Sequence, residues 1–217
     1  MNANSIGMLC LWICLLTACT SSPQSKAKSA HISLQRKKEI VNSLTQKSKN
    51  FLHNGDIVLR SGRDVISQLF AQFNKQDKTF SHCGIAFQEN GKWVVYHAIG
   101  GEDNPDEKLR KDTYEDFIRP EINSGFGICN YPLSSEQITA LRQQVTEYFQ
   151  QQIPFDMEFD LKSNNRLYCA EMVYKAFTRS LHQPHFFATT KHLGFEYVST
   201  DNLFRNNQAR ILCHFLY

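Results

Sequence analysis

The sequence SHCGIAFQENGKWVVYHAI, residues 81–99, contains two alternating apolar runs with Asn90 and Gly91 between them. Both residues tolerate the positive φ angles that a type I′ turn requires, and Asn-Gly between alternating runs is a strong hairpin signal. The stretch therefore predicts two antiparallel strands joined by a two-residue turn.

The register of this hairpin places two histidines on one face. A two-residue loop puts His82 opposite Ile99 and His97 opposite Gly84. The two histidines then lie about 7 to 8 Å apart on the diagonal, within reach of long side chains. Because Gly84 has no side chain, it leaves room for His97 to lean toward His82. We expect the two imidazoles to contact each other.

A predicted helix downstream supplies a candidate nucleophile. Residues 167–177 read LYCAEMVYKAF, and apolar residues recur at helical spacing across the segment 168–182. Cys169 falls in the first turn on the inward face, where the helix dipole and unpaired backbone amides favour the thiolate. If the sheet packs against this end of the helix, His82 can take the thiol proton while His97 fixes its ring. A buried structural cysteine beside two hydrogen-bonded strand histidines is the alternative interpretation.

The remaining elements are short and mixed in type. The sequence predicts strands at 55–60, at 126–133 and within the tail 195–217, a capped helix at 134–152, and a polar, acid-rich loop at 100–116. Strands and helices do not alternate regularly, which indicates an α+β fold in one domain.

Four motifs in a fixed order carry a resemblance to a known family. These are GDIVLR at 55–60, SHCGIAF at 81–87, PFDMEFD at 154–160 and LYCAEMVYKAF at 167–177. Together they resemble the permuted papain-fold branch of the NlpC-type cysteine hydrolases, the YiiX and YebB lineage. The resemblance implies a circularly permuted papain-like fold, in which an antiparallel sheet packs against a helix that bears the nucleophilic cysteine at its N-terminus.

The resemblance also implies roles for individual residues. Cys169 matches the nucleophile and His82 the general base. The third, orienting member of this branch is usually a carboxylate on the next strand, where this sequence has His97. The related lecithin retinol acyltransferase group has a second histidine there. Ala170 stands where the family pattern has serine, a change from which we expect little chemical loss.

The N-terminus resembles that of a bacterial lipoprotein. An uncharged apolar run at 6–18 is too short to span a bilayer and ends in Leu-Thr-Ala before Cys19, like a lipobox. This predicts a signal peptide at residues 1–18, a lipidated tether at 19–50 and a hydrolase domain at 51–217. The residue after Cys19 is not aspartate, so we expect the protein on the outer membrane, facing the periplasm.

The distribution of charge argues against a nucleic-acid partner. The chain has 24 Lys and Arg against 21 Asp and Glu, for a net charge of +3. Residues 21–50 hold seven of the basic residues and one acid, which leaves 17 basic and 20 acidic residues in the segment 51–217. The predicted domain is therefore slightly acidic and offers no basic surface for a phosphate backbone.

The cysteines and histidines raise two further alternatives. Four cysteines remain after the predicted signal peptide and lipidation site, and spacing does not decide which of them form disulfides: Cys83, Cys129, Cys169 and Cys213. His82, His97 and Cys169 are possible zinc ligands together with His182, His185 or His192, but no recognised zinc spacing occurs. We expect neither a metal nor another cofactor.

The sequence thus predicts a membrane-tethered cysteine hydrolase that cleaves an amide bond through an acyl-enzyme on Cys169. Peptidoglycan-derived peptide is the substrate that the resemblance and the envelope location imply. Two alternatives stay open. One is a lipid-directed acyltransferase or thioesterase of the lecithin retinol acyltransferase type, in which residues 185–187 (HFF) could line an acyl pocket. The other is a non-catalytic envelope binding protein.

Overall fold

A computed structural model of the chain describes residue 36 and residues 39–100, 107–192 and 194–217. The predicted signal peptide and Cys19 lie outside these residues. A compact unit extends over Ile40–Tyr217. This unit begins before the predicted domain start at residue 51, because the helical segment 40–48 buries Val41 and Ser48.

A six-stranded antiparallel sheet forms the centre of the unit. Its strands are β1 (Ile57–Gly62), β2 (His82–Glu89), β3 (Lys92–His97), β4 (Arg110–Thr113), β5 (Asn123–Asn130) and β8 (Arg210–Leu216). The strands β6 (Thr190–His192) and β7 (Phe195–Tyr197) form a separate two-stranded ribbon. The order across the sheet is β4-β3-β2-β1-β5-β8. The hairpin of β2 and β3 therefore lies between β1 and the edge strand β4.

The hairpin has the turn and register predicted from the sequence. Asn90 and Gly91 have φ angles of 48° and 76°, as a type I′ turn requires. Glu89 pairs with Lys92, and Ile85 pairs with Tyr96. This register is the one that places the two histidines on a common face.

Along the chain, helices lie before β1 and between the strands. They are α1 (40–48), α2 (Val65–Phe73), α3 (Tyr114–Phe117), α4 (Ser135–Gln150), α5 (Cys169–Leu181) and α6 (Thr200–Phe204), with a 3-10 turn at Lys49–Phe51. The predicted capping box of α4 is present, since Ser134 and Gln137 exchange hydrogen bonds. Helix α5 begins at Cys169, in agreement with the predicted segment.

The two faces of the sheet bury different side chains. Cys83, Ile85 and Phe87 of β2 face a large core that includes the inward sides of α4 and α5. The intervening residues of β2 face the other side, where Ala86 packs in a smaller cluster with Phe117 of α3. Alternation along β2 thus sends Cys83 toward α5 and His82 to the opposite face.

Two sequence-based interpretations differ from the structure. The segment predicted as a loop at 100–116 contains β4 and the start of α3. The tail contains α6 in addition to strands.

The disulfide state, which the spacing of the cysteines left open, is resolved by the structure. All four cysteines of the domain are free thiols. Among the described residues, no helix is both long and apolar enough to cross a membrane.

Candidate active site

The two hairpin histidines contact each other directly. His82 Nε2 lies 3.0 Å from His97 Nδ1, and the rings meet edge to face. Both side chains are buried, with 8% and 1% of their surface exposed. The predicted imidazole contact is therefore confirmed.

A carboxylate that the sequence analysis missed completes this chain of side chains. His97 Nε2 lies 3.0 Å from Asp112 Oδ2 on β4. Arg110 holds the other carboxylate oxygen at 3.1 Å. The hydrogen bond from His97 lowers the pKa of Asp112 to about 2, so the carboxylate is ionised at neutral pH. A carboxylate is thus present beyond His97, one strand further from His82 than the strand on which the resemblance places one.

Ionisation of Asp112 fixes which nitrogens carry protons. Burial lowers the pKa of His97, against the opposing effect of Asp112, so the ring is neutral at pH 7. Its one proton lies on Nε2, where it can be donated to the carboxylate, and Nδ1 accepts from His82 Nε2. This leaves a lone pair on His82 Nδ1. Burial, Arg60 and His97 also hold the pKa of His82 well below its usual range. His82 is therefore an uncharged base with one free ring nitrogen.

Two neighbours fix the positions of these rings. A Cβ on Gly84 would lie 2.6 Å from the Tyr96 carbonyl oxygen and 2.9 Å from the His97 Cβ, so only glycine leaves His97 its place. Phe117 packs against both imidazoles, with ring centroids 5.6 Å from His82 and 4.9 Å from His97. The pair is held by packing as well as by hydrogen bonds.

Cys169 lies at the first position of α5 with its sulfur in a donor-rich environment. The Cys83 thiol donates a hydrogen bond to this sulfur, and the backbone N–H groups of Cys83 and Ala170 donate as well. These bonds and the charge of Arg60 outweigh burial and lower the pKa of the Cys169 thiol. Burial and the bond to Cys169 raise the pKa of Cys83 well above its usual range. Cys169 is therefore the more acidic of the two thiols in contact.

His82 and Cys169 line one cavity of about 800 Å³. Aromatic side chains supply much of its wall: Phe70, Phe73, Phe155, Phe159 and Phe195. The segment 185–187 does not line it, because Phe186 and Phe187 are buried in the core beside α5. The aromatic lining that the sequence analysis expected from 185–187 therefore comes from other segments.

The arrangement can activate a thiol toward an acyl carbon. Its two parts line the same cavity, without a hydrogen bond between them: an acidified sulfur at a helix N-terminus, and a neutral base whose far nitrogen is hydrogen-bonded. Arg60, a second residue missed from the sequence, lines the same cavity beside His82. In the sequence Arg60 is the polar end of an apolar strand, a pattern that equally fits a solvent-exposed side chain.

The fold is similar to a solved structure. The crystal structure of the metalloprotein yiiX from Escherichia coli O157:H7 superposes with a TM-score of 0.63 at 20% sequence identity. The match covers 76% of this chain and 98% of that chain. The described residues here contain no group of three or more His, Cys, Asp or Glu side chains placed to hold a metal ion. Both ring nitrogens of His97 are hydrogen-bonded, to His82 and to Asp112, so His82 Nδ1 is the one imidazole nitrogen of this pair that is open to a ligand.

A family profile covers most of the chain. No curated protein sequence matches this chain significantly. Residues 51–208 match the permuted papain-like amidase enzymes, YaeF/YiiX, C92 family. This segment contains every element of the site, from β1 to the ribbon and α6. The chain therefore belongs to the permuted papain-like amidase family, and it is an enzyme of the cysteine hydrolase kind.

Proposed function

We propose that the protein is a membrane-tethered amidase that cleaves cell-wall peptide through an acyl-enzyme on Cys169. The observation that carries this proposal is the hydrogen-bonded series Asp112–His97–His82, whose last member lines one cavity together with Cys169. A neutral base and an acidified thiol in one cavity meet the requirements of covalent acyl transfer.

The proposed reaction has two halves. In the first, His82 Nδ1 takes the thiol proton while the Cys169 sulfur bonds to the carbonyl carbon of the amide. The backbone N–H of Cys169, which has no acceptor within the helix, stabilises the resulting oxyanion. The C–N bond then breaks, and protonated His82 gives its proton to the leaving amine. In the second half, His82 takes a proton from water, whose oxygen attacks the thioester and releases the acid and the thiol.

The tether belongs to the same proposal. Its support is the lipobox-like sequence that ends at Cys19, a residue outside the described structure. A diacylglycerol and an N-terminal acyl chain would exceed the two-signal threshold for stable membrane anchoring. The predicted location on the outer membrane, facing the periplasm, would place the domain beside peptidoglycan.

We expect a Cys19→Ser variant to lose its membrane attachment in cells. Fatty-acid labelling of the protein should disappear, and the protein should move from the membrane fraction to the soluble fraction or remain as an unprocessed precursor. The matched control is Cys213→Ser, a change on β8 that leaves the N-terminus intact. Unchanged labelling of the Cys19→Ser variant would refute the tether without affecting the proposed chemistry.

A lipid substrate is the second candidate, and the aromatic wall of the cavity favours it. An acyl chain could pack against Phe70 and Phe73, and the His–His pair is similar to that of the acyltransferase group named above. The peptide proposal has the stronger support because the family is one of amidases.

Parallel digestions distinguish these candidates. Full-length protein in detergent micelles is incubated with muropeptides and, separately, with phospholipids, and the products are identified by mass spectrometry. We expect a new free amine on a muropeptide fragment and intact phospholipid. Release of fatty acid from phospholipid alone would favour the lipid candidate. Tight muropeptide binding without turnover would favour the non-catalytic binding protein.

A further inference from the structure

Arg60 is a buried cation to which the proposed reaction assigns no contact with the substrate. It lies on β1, and only 8% of its surface is exposed. Among the described residues, its guanidinium makes one hydrogen bond, from Nη1 to the side-chain oxygen of Asn123 at 3.4 Å, and its Nε has no partner. Burial lowers the pKa of Arg60 to about 10, which still leaves it protonated at neutral pH. A buried charge with open donors is unfavourable unless an anion meets it.

The guanidinium lies beside the reacting groups. Arg60 and His82 are directly paired across β1 and β2, so their side chains share one face of the sheet. The ring of Phe117 supports the guanidinium at 4.9 Å from its centroid. The positive charge of Arg60 lowers the pKa of the Cys169 thiol. Arg60, His82 and Cys169 all line the same cavity. A guanidinium with an unpartnered donor therefore lines the cavity that a substrate would enter.

We propose that Arg60 binds a carboxylate group of the substrate next to the bond that Cys169 attacks. This inference rests on the proposed function and names the substrate class more narrowly, as a peptide or acyl amide with a free carboxylate near its scissile bond. A planar guanidinium with a free edge matches a carboxylate in a two-point hydrogen bond. Binding would satisfy the donors that the protein leaves open.

The charges around the cavity favour a carboxylate over a phosphate. Three acids also line the cavity, Asp64, Glu107 and Glu158, and Arg110 is already paired with Asp112. Arg60 is therefore the one cation among the described lining residues that is available without breaking an ion pair. One cation near three acids suits a singly charged group better than a phosphate dianion.

Two alkylating reagents test the proposal without knowledge of the substrate. The Cys169 thiolate displaces iodide from iodoacetate, which carries a carboxylate, and from iodoacetamide, which is its neutral analogue. We expect the rate ratio of iodoacetate to iodoacetamide at Cys169 to exceed the ratio for glutathione by about tenfold. In an Arg60→Gln variant the ratio should fall to that of glutathione. Peptide mass spectrometry reports the rate at Cys169 separately from the other thiols.

The ratio separates carboxylate binding from thiolate stabilisation. Loss of the Arg60 charge alters the thiolate fraction, which slows both reagents equally and cancels in the ratio. Arg60→Lys keeps the charge but loses the planar group that can form a two-point hydrogen bond, so we expect an intermediate ratio. Arg119→Gln removes an exposed arginine and should leave the ratio unchanged. The inference would be overturned if the iodoacetate-to-iodoacetamide rate ratio were the same for Cys169 in the unmodified protein, for Cys169 in Arg60→Gln and for glutathione. A Cys169 thiol that reacts slowly with both reagents would instead contradict the proposed function.

A protection experiment on the unmodified protein identifies the anion and needs no variant. N-acetylglycine should slow the iodoacetamide reaction at Cys169, while the uncharged N-acetylglycinamide at the same concentration should not. Glycerol 1-phosphate represents a lipid headgroup. Stronger protection by glycerol 1-phosphate than by N-acetylglycine would replace the carboxylate with a phosphate and overturn the proposal as stated.

Discussion

A Cys169→Ser variant should hydrolyse muropeptide amides about 10⁴- to 10⁶-fold more slowly than the unmodified enzyme, the range seen when a catalytic nucleophile is removed. The site is adapted to a thiol. Hydrogen bonds from Cys83 and from two backbone amides stabilise a sulfur anion. A serine hydroxyl is far less acidic than a thiol, and a neutral His82 with a lowered pKa is a weak base for it.

The measurement is the initial rate of amine release, with a cysteine-to-serine control elsewhere in the fold. Cys213 on β8 is half-buried and is separated from β2 by two strands, so Cys213→Ser should keep its full rate. Thermal unfolding of all three proteins shows whether the variants are folded. A Cys169→Ser variant that folds and retains more than a few per cent of the rate would exclude Cys169 as nucleophile.

A further substitution distinguishes a cooperating pair from two independent residues. If His82 acts only through Cys169, then His82→Ala in a Cys169→Ser background should cost nearly nothing more. Effects of groups that act as one unit are strongly non-additive. Two separate multiplicative losses would show that His82 has another role.

The sequence predicts those parts of the site that have strong local signals. Asn90 and Gly91 determine the turn and therefore the register, and the register brings His82 to His97. The spacing of apolar residues in α5 places Cys169 at its first turn. In both cases a local rule fixes the position of a side chain relative to a regular element.

Asp112 and Arg60 could not be identified in this way. Strand β4 has the sequence RKDT, without a single apolar residue, because it is a short edge strand whose charged side chains limit further pairing. Its sequence is therefore indistinguishable from that of a polar loop, and Asp112 has no predicted place. Arg60 looks like an outward residue at the end of β1, and only the packing of Phe117 over it shows that it is buried.

An Asp112→Asn variant should lose about 10³- to 10⁴-fold in kcat while KM changes little. Asparagine has nearly the same shape, but its amide N–H can donate a hydrogen bond to His97 Nε2. To accept this bond, His97 Nε2 must be unprotonated. The His97 proton then moves to Nδ1 and is donated to His82 Nε2. His82 must in turn carry its own proton on Nδ1, the nitrogen that is proposed to accept from Cys169. Trapping a base in its wrong tautomer costs about 10⁴ in rate in a comparable triad.

The tautomers themselves give a readout that a merely structural role would not change. Nitrogen NMR shifts of the two histidines should show His82 protonated at Nε2 in the unmodified protein and at Nδ1 in Asp112→Asn. Asp116→Asn is the matched control, because Asp116 is exposed and its side chain bonds Thr113 rather than His97. If kcat falls without a tautomer change, Asp112 acts by charge alone. If neither kcat nor the tautomer changes, Asp112 does not orient the base. Asp112 is hydrogen-bonded to His97 and His97 to His82, so an orienting Asp112 would change the tautomer of His82 when its carboxylate is replaced by an amide.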